Sequence, residues 1–178
     1  PAFYIFPDSK LDNNQALELA EKLDLVNIIK EYGGRIMVVN PSSDKWQEQD
    51  LEDFRRLIGM GSSPTNVKVI GIGSGATFVN RQLVATELAG VIAGIVSIDG
   101  EPGKICRLPV PAFIGGKNAA KAAKPYQTTS DSAPADPLQK VVVNTDKKAS
   151  LETLFAEAWD KVLSANYRYN NLYRTFYT

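Results

Sequence analysis

The chain has 178 residues, an apolar content of 44%, and 20 basic against 20 acidic side chains. These totals predict one folded globular domain with a proper core and exclude a disordered chain. The zero net charge gives no general attraction to nucleic acid or to an anionic membrane, and no apolar run approaches the roughly 20 residues of a membrane span. We therefore expect neither of those partners, while the sequence leaves the cellular compartment open.

Histidine is absent from the sequence, and Cys106 is its single cysteine. A Ser-His-Asp or Cys-His site therefore cannot be completed by this chain alone, and an internal disulfide is excluded. Metal sites built on histidine or on several cysteines are excluded as well, so we expect no metal and no cofactor. Cys106 is interpreted as a buried small apolar residue rather than as a catalytic thiol.

Short apolar runs alternate along the chain with amphipathic segments, which predicts alternating strands and helices. Pro7 ends the first run, and Asp12 stands before Gln15 at the spacing of a capping box. Ser150 is the expected cap of the last helix. The predicted strands are 2–6, 35–39, 67–72, 93–98, 110–114 and 140–143. Helices are predicted at 13–32, either continuous or broken into two, and at 46–58, 78–88, 118–123 and 151–162.

The predicted strands show little alternation of apolar and polar residues, which is typical of strands buried on both faces. The sequence therefore predicts a three-layer α/β/α fold with a mostly parallel sheet of about six strands. Residues 125–139 contain three prolines and are predicted to form a mobile loop, with a substrate lid as the alternative to a plain connection. The aromatic, basic tail at 167–178 is expected to pack on the body, on a partner or on a further C-terminal segment. The sequence given ends on Phe176-Tyr177-Thr178 with no polar run after the aromatic residues, which suggests a longer protein.

A glycine-rich turn follows the third predicted strand and leads directly into an amphipathic segment. Gly71, Gly73 and Ala76 match the Gly-x-Gly-x-x-Ala pattern of a dinucleotide-binding loop, and Asp99 follows at the end of the next strand. Such a loop binds phosphate through glycine backbone at a helix N-terminus. The alternative is a nucleophile elbow, in which small residues flank a nucleophile at a sharp turn from strand to helix.

The order of several loose motifs favours the elbow. From about Gln15 to Asn118, the chain resembles the poly(3-hydroxybutyrate) depolymerase and feruloyl-esterase branch of the α/β-hydrolases. The resemblance covers somewhat more than half of the chain and implies an esterase-type fold with a small ester as substrate. The matching pieces are the helix before Gly33-Gly34, the run 35–41, Lys45-Trp46, Asp50-Leu51, the run 67–78, Asn80-Arg81, the run 93–96 and the run 111–116.

Three catalytic roles are missing in the register of that family. The serine of the family falls on Gly73, Ser74 comes one position late, and the run 115–119 lacks the expected acid. The catalytic histidine is absent. The resemblance therefore implies an esterase-like domain that is catalytically incomplete, unless a further C-terminal segment or a second subunit supplies the histidine.

Candidate site residues nevertheless follow from both interpretations of the turn. Ser74 is the candidate catalytic residue, although a serine at this position more often caps a helix than attacks a substrate. The candidate binding residues, for a small ester or an anionic ligand, are Gly71, Gly73, Gly75, Ala76 and Asp99.

Overall fold

The computed structural model describes residues 1–59, 66–132 and 140–164. Its strands are β1 (Ala2–Phe6), β2 (Arg35–Val38), β3 (Val67–Ile72), β4 (Ile92–Ile98), β5 (Ala112–Gly115) and β6 (Val141–Asn144). They form one sheet in the order β2-β1-β3-β4-β5-β6, and every neighbouring pair is parallel. The parallel sheet predicted from the apolar strands is confirmed.

The helices lie on both faces of this sheet. They are α1 (Asn13–Lys22), α2 (Leu25–Tyr32), α3 (Glu48–Gly59), α4 (Ser74–Phe78), α5 (Ala119–Ser132) and α6 (Leu151–Ala158). Single π-helical turns, Val79–Leu83 and Trp159–Leu163, continue α4 and α6. Helices α3, α4 and α5 contribute to one apolar core, and α1, α2 and α6 contribute to the other. The fold is therefore a three-layer α/β/α arrangement.

The first strand shows why the strands lack alternation. Tyr4 and Phe6 point to the α3 side, where each makes an edge-on contact with Phe54 at ring-centroid distances of 5.2 and 5.1 Å. Phe3 and Ile5 point to the opposite core, and all four side chains are buried. Because both faces of the strand are covered, every position favours an apolar residue.

Two predicted helix starts are confirmed by their hydrogen bonds. The Gln15 amide donates to Asp12 at 2.8 Å, and the Asp12 amide donates back to the Gln15 side chain at 3.0 Å, which completes a capping box. The Ser150 hydroxyl accepts from the Thr153 amide at 3.1 Å at the start of α6. Amides at the start of a helix have no partner within the helix. These caps satisfy two such amides at α1 and one at α6.

The predicted loop at 125–139 is wrong over its first half, because α5 continues through Pro125 to Ser132. The contacts of α5 explain why the composition of this segment wrongly predicted a loop. The Tyr126 side chain is buried and donates to Asn80 at 2.7 Å, and the Thr129 hydroxyl donates to the Cys106 carbonyl at 2.6 Å. Tertiary anchoring of this kind overrides weak helix propensity. Residues 133–139 and the predicted aromatic tail at 167–178 lie outside the described residues.

The strand order places a crevice beside the glycine-rich turn. The chain leaves β1 toward β2 and then returns to the other side of β1 as β3, so the order reverses between β1 and β3. Ligands of open α/β sheets bind at the carboxyl ends of strands at such a reversal. Phe6 is in register with Gly71, so the residues that follow the two strands emerge side by side.

The helices in the described ranges all fall short of the length and apolarity that a bilayer crossing requires.

Candidate functional site

The turn from β3 into α4 is made at a single residue, Gly73. Its φ of 58° and ψ of −122° lie in the left-handed half of the conformational map, which favours glycine. Its amide donates to the Ile98 carbonyl at 2.8 Å, so the turn is tied to the neighbouring strand β4. Helix α4 begins at Ser74, and the sequence-based start at Phe78 is therefore wrong by four residues. The chain passes from strand to helix with no linker.

The glycines on either side of Gly73 allow close packing of the turn. A Cβ atom on Gly71 would lie 2.7 Å from the Ala76 Cα atom, and one on Gly75 would lie 1.9 Å from the Phe6 carbonyl oxygen. Both distances are far inside van der Waals contact, so neither position has room for a side chain. Small residues two before and two after the turning residue are what a nucleophile elbow requires.

Asp8, which sequence reasoning missed, fills the space in front of the turn. Its Oδ1 atom accepts a hydrogen bond of 2.8 Å from the Ser74 amide, and the Ser74 hydroxyl donates to its backbone carbonyl. A Cβ atom on Gly73 would lie 2.2 Å from the same Oδ1 atom. The Asp8 carboxylate therefore stands where a side chain at residue 73 would have to begin.

These contacts do not activate the Ser74 hydroxyl. A general base must take the hydroxyl proton as the oxygen attacks, and a backbone carbonyl cannot do so. The hydroxyl is exposed, and the chain has no histidine to serve as that base. Ser74 as a catalytic residue stays a prediction. Its expected capping role is wrong, because the N-cap of α4 is Gly73 and the Ser74 hydroxyl donates to the Asp8 carbonyl instead of accepting from a helix amide.

Asp99 lies at the same sheet edge, but its carboxylate turns toward β5. Its Oδ1 atom accepts from the Lys117 amide at 2.8 Å, and a Cβ atom on Gly116 would lie 2.1 Å from it. The structure thus brings Gly71, Gly73, Gly75 and Ala76 into one turn and places Asp99 on the next strand end. The binding role of this set stays a prediction.

The loop that follows β4 and contains Glu101 lies against α4. A polar network that sequence reasoning missed holds it there. The Glu101 amide donates to the Thr77 hydroxyl at 2.9 Å, and the Asn80 amide group donates to the Glu101 carbonyl at 2.9 Å. Tyr126 donates to the other side of Asn80, and burial raises the pKa of its phenol well above the ordinary value. The loop is therefore fixed against α4 by side chains from three elements.

These missed residues differ in the signal that the sequence gives. Asp8 directly follows the first predicted strand, so the shared edge of parallel strands could have drawn attention to it. Asn80 and Tyr126 are paired across 46 residues, and the sequence carries no signal of that pairing.

No protein-family model matches the chain, and no curated protein is significantly similar to it. Within the described ranges, no group of three or more His, Cys, Asp or Glu side chains is placed to hold a metal ion.

Proposed function

We propose that this chain is an α/β-hydrolase-like domain of the esterase and polyester-depolymerase type that has lost its hydrolytic chemistry. The observation that carries the proposal is the geometry at Gly73. A glycine occupies the turning position of an elbow-like strand-to-helix turn, and the Asp8 carboxylate occupies the space of the missing side chain. The scaffold of a nucleophile site is kept while the nucleophile is absent.

The hydrogen bond from the Ser74 amide also supports this proposal, because it occupies a donor that an active elbow would need. In an elbow, the amide after the nucleophile and an amide from a loop after a nearby strand stabilise the negative oxygen of the reacting ester. Ser74 follows the turning residue, and Asp8 lies in the loop after the neighbouring strand β1. The Ser74 amide already binds a negative oxygen that belongs to the protein itself. An ester would have to displace this internal carboxylate before it could use that donor.

The alternative, a nucleotide- or phosphate-binding module, has less support from the same contacts. A phosphate loop uses its glycines so that the backbone can approach the ligand. Here Gly75 faces the Phe6 carbonyl and Gly73 faces the Asp8 carboxylate, which would repel a phosphate. Calorimetry with NAD, ATP and inorganic phosphate is expected to give no binding heat, and saturable binding of any of them would favour the alternative.

Hydrolysis of a short-chain p-nitrophenyl ester tests the loss of chemistry. The purified full chain is expected to release p-nitrophenol at the rate of buffer alone, because Ser74 lacks a base. The Ser74→Ala variant is expected to give the same rate. Turnover by the wild-type chain that disappears in Ser74→Ala would overturn the inactive assignment.

Thiol labelling tests whether the turn has the exposure of an elbow. The double variant Asp8→Gly/Gly73→Cys places a thiol at the turning position and removes the carboxylate in front of it. Cys106 is only 1% exposed and serves as the internal unreactive reference. The introduced thiol is expected to react with a disulfide reagent in the folded state, whereas Cys106 reacts only on unfolding. A double variant that stays folded but labels as slowly as Cys106 would contradict the elbow.

A further inference from the structure

A groove lies between α2 and α6, on the helical layer formed by α1, α2 and α6. It has a volume of about 320 Å³, and we call it the α2–α6 groove. That volume is at the lower end of the range for small-molecule sites. The residues that matter for its chemistry are Asp24, Glu31, Tyr32, Glu152, Phe155 and Trp159.

Aromatic rings form the apolar part of the groove. Tyr32 is 58% exposed, and its ring centroid lies 5.5 Å from that of Trp159 with the planes tilted by 52°. Two rings at this tilt form an open corner rather than a closed stack. Phe155 also lines the groove and is buried, at 2% exposure. An exposed tyrosine held against a tryptophan provides aromatic faces that a ligand can cover.

The charged residues of the groove carry an excess of negative charge. Three carboxylates, those of Asp24, Glu31 and Glu152, face a single ammonium, that of Lys22. Lys22 pairs with Glu152 at 3.6 Å, and Asp24 accepts from Asn27 at 2.7 Å. Glu31 makes no hydrogen bond or ion pair with another described residue. The charge of the groove therefore complements a cation.

We propose that the α2–α6 groove binds a small quaternary ammonium ion of the size of choline. Aromatic faces attract cations through the ring quadrupole, and the net attraction in water is larger for a cation that is easily desolvated. A methylated ammonium has that property, and its methyl groups also bury apolar surface against Tyr32 and Trp159. Carboxylates at the rim supply the long-range attraction. This inference concerns a different layer of the fold from the turn at Gly73 and does not depend on the proposed loss of hydrolysis.

Calorimetric titration of the full chain with choline chloride tests the proposal. The matched control ligand is 3,3-dimethyl-1-butanol, which has nearly the same shape without the charge. Choline is expected to bind with a dissociation constant of roughly millimolar strength, and the neutral analogue at least about fivefold more weakly. Equal binding of the two ligands would show an apolar groove without cation selectivity and would overturn the proposal, as would the absence of binding by both.

Two variants then assign the binding to the groove. Tyr32→Ala removes one aromatic face, Glu31→Gln removes one charge, and each is expected to weaken choline binding by about threefold or more. Leu17→Ala is the matched control, because Leu17 is an exposed apolar residue on α1 that does not line the groove. Circular dichroism checks that each variant is folded. Unchanged affinity in both groove variants would place the cation elsewhere and overturn the assignment.

Discussion

Asp8 accepts a hydrogen bond of 2.8 Å from the Ser74 amide across 66 residues of sequence. This contact joins the loop after β1 to the first residue of α4, at the point where the strand order reverses. It satisfies an amide at the start of a helix, and the carboxylate is favourably placed near the positive end of that helix. The same contact also fills the space in front of Gly73. The Asp8 carboxylate therefore both stabilises the turn and occupies the space in front of it.

Removal of the Asp8 carboxylate is expected to destabilise the fold modestly. Asp8→Ala leaves the Ser74 amide to solvent, and the loss of a capping interaction of this kind costs about 1 kcal/mol. Urea unfolding measures the change. Asp44→Ala is the matched control, because Asp44 is exposed and makes no hydrogen bond or ion pair with a described residue, and it is expected to stay within about 0.5 kcal/mol of wild type. Equal effects of the two variants would contradict a capping role for Asp8.

Alanine substitutions in the turn are expected to rank by the contact that the new Cβ atom meets. Gly75→Ala places it 1.9 Å from a backbone oxygen that cannot move away, so a loss of about 3 kcal/mol or more is expected. Gly73→Ala meets the movable Asp8 side chain and a left-handed φ, which together cost about 2 kcal/mol. No described residue lies within 4 Å of a Cβ placed on Gly59, so Gly59→Ala is expected to be neutral or stabilising.

A double-mutant cycle separates the two costs at residue 73. In the Asp8→Ala background the clash is gone and only the backbone strain remains, so Gly73→Ala is expected to cost less there than in wild type. Chemical denaturation of the four proteins measures the coupling. Strict additivity would show that the Asp8 side chain does not occupy the space at residue 73.

The layered fold was predictable because burial on both faces makes each strand a continuous apolar run in the sequence. Predicted and observed strands agree within two residues, as at β4, where every side chain is buried. Helix α5 was predicted too short, because its second half is held by Tyr126 and Thr129 against residues far away in sequence. Local propensity contains no term for such contacts.

The candidate site was only partly predictable for a related reason. Glycines 71, 73 and 75 follow an apolar run directly, and this pattern predicted the tight turn. What fills the turn depends on the register of β1 against β3, which brings Asp8 to Ser74. That register is set only in the assembled sheet, so neither segment alone predicts it.

The buried pair of Tyr126 and Asn80 is expected to stabilise the loop over α4. Tyr126→Phe removes the donor and leaves the Asn80 carbonyl oxygen buried without its partner at 2.7 Å, which costs about 1–3 kcal/mol. Tyr32→Phe is the matched control, because the Tyr32 hydroxyl makes no hydrogen bond with a described residue and its side chain is exposed. Guanidinium unfolding compares the two variants. A Tyr126→Phe protein as stable as Tyr32→Phe would show that the buried hydrogen bond contributes nothing.

Lys68 is expected to make the stability of the chain depend on pH. Its side chain is 1% exposed and donates to the Leu163 carbonyl, and burial lowers the pKa of its ammonium to about 8 from an ordinary value of 10.5. Between these two values the unfolded chain holds a proton that the folded chain has released. The free energy of unfolding therefore rises with pH in this window, and Lys68 adds no slope well below pH 8, where both states are protonated.

Urea unfolding between pH 8 and about 9.5 measures this slope, below the range in which Tyr126 ionises in the unfolded chain. Lys68→Met removes the ammonium with little change in volume and is expected to lose the part of the rise that Lys68 contributes. Lys10→Met, at an exposed lysine, is expected to keep it. The Cys106 thiol of the unfolded chain also ionises in this window, equally in both proteins, so the readout is the difference between the slopes of wild type and Lys68→Met. Equal slopes in the two proteins would contradict the lowered pKa of Lys68, because a lysine that kept its proton in the folded state would add no slope.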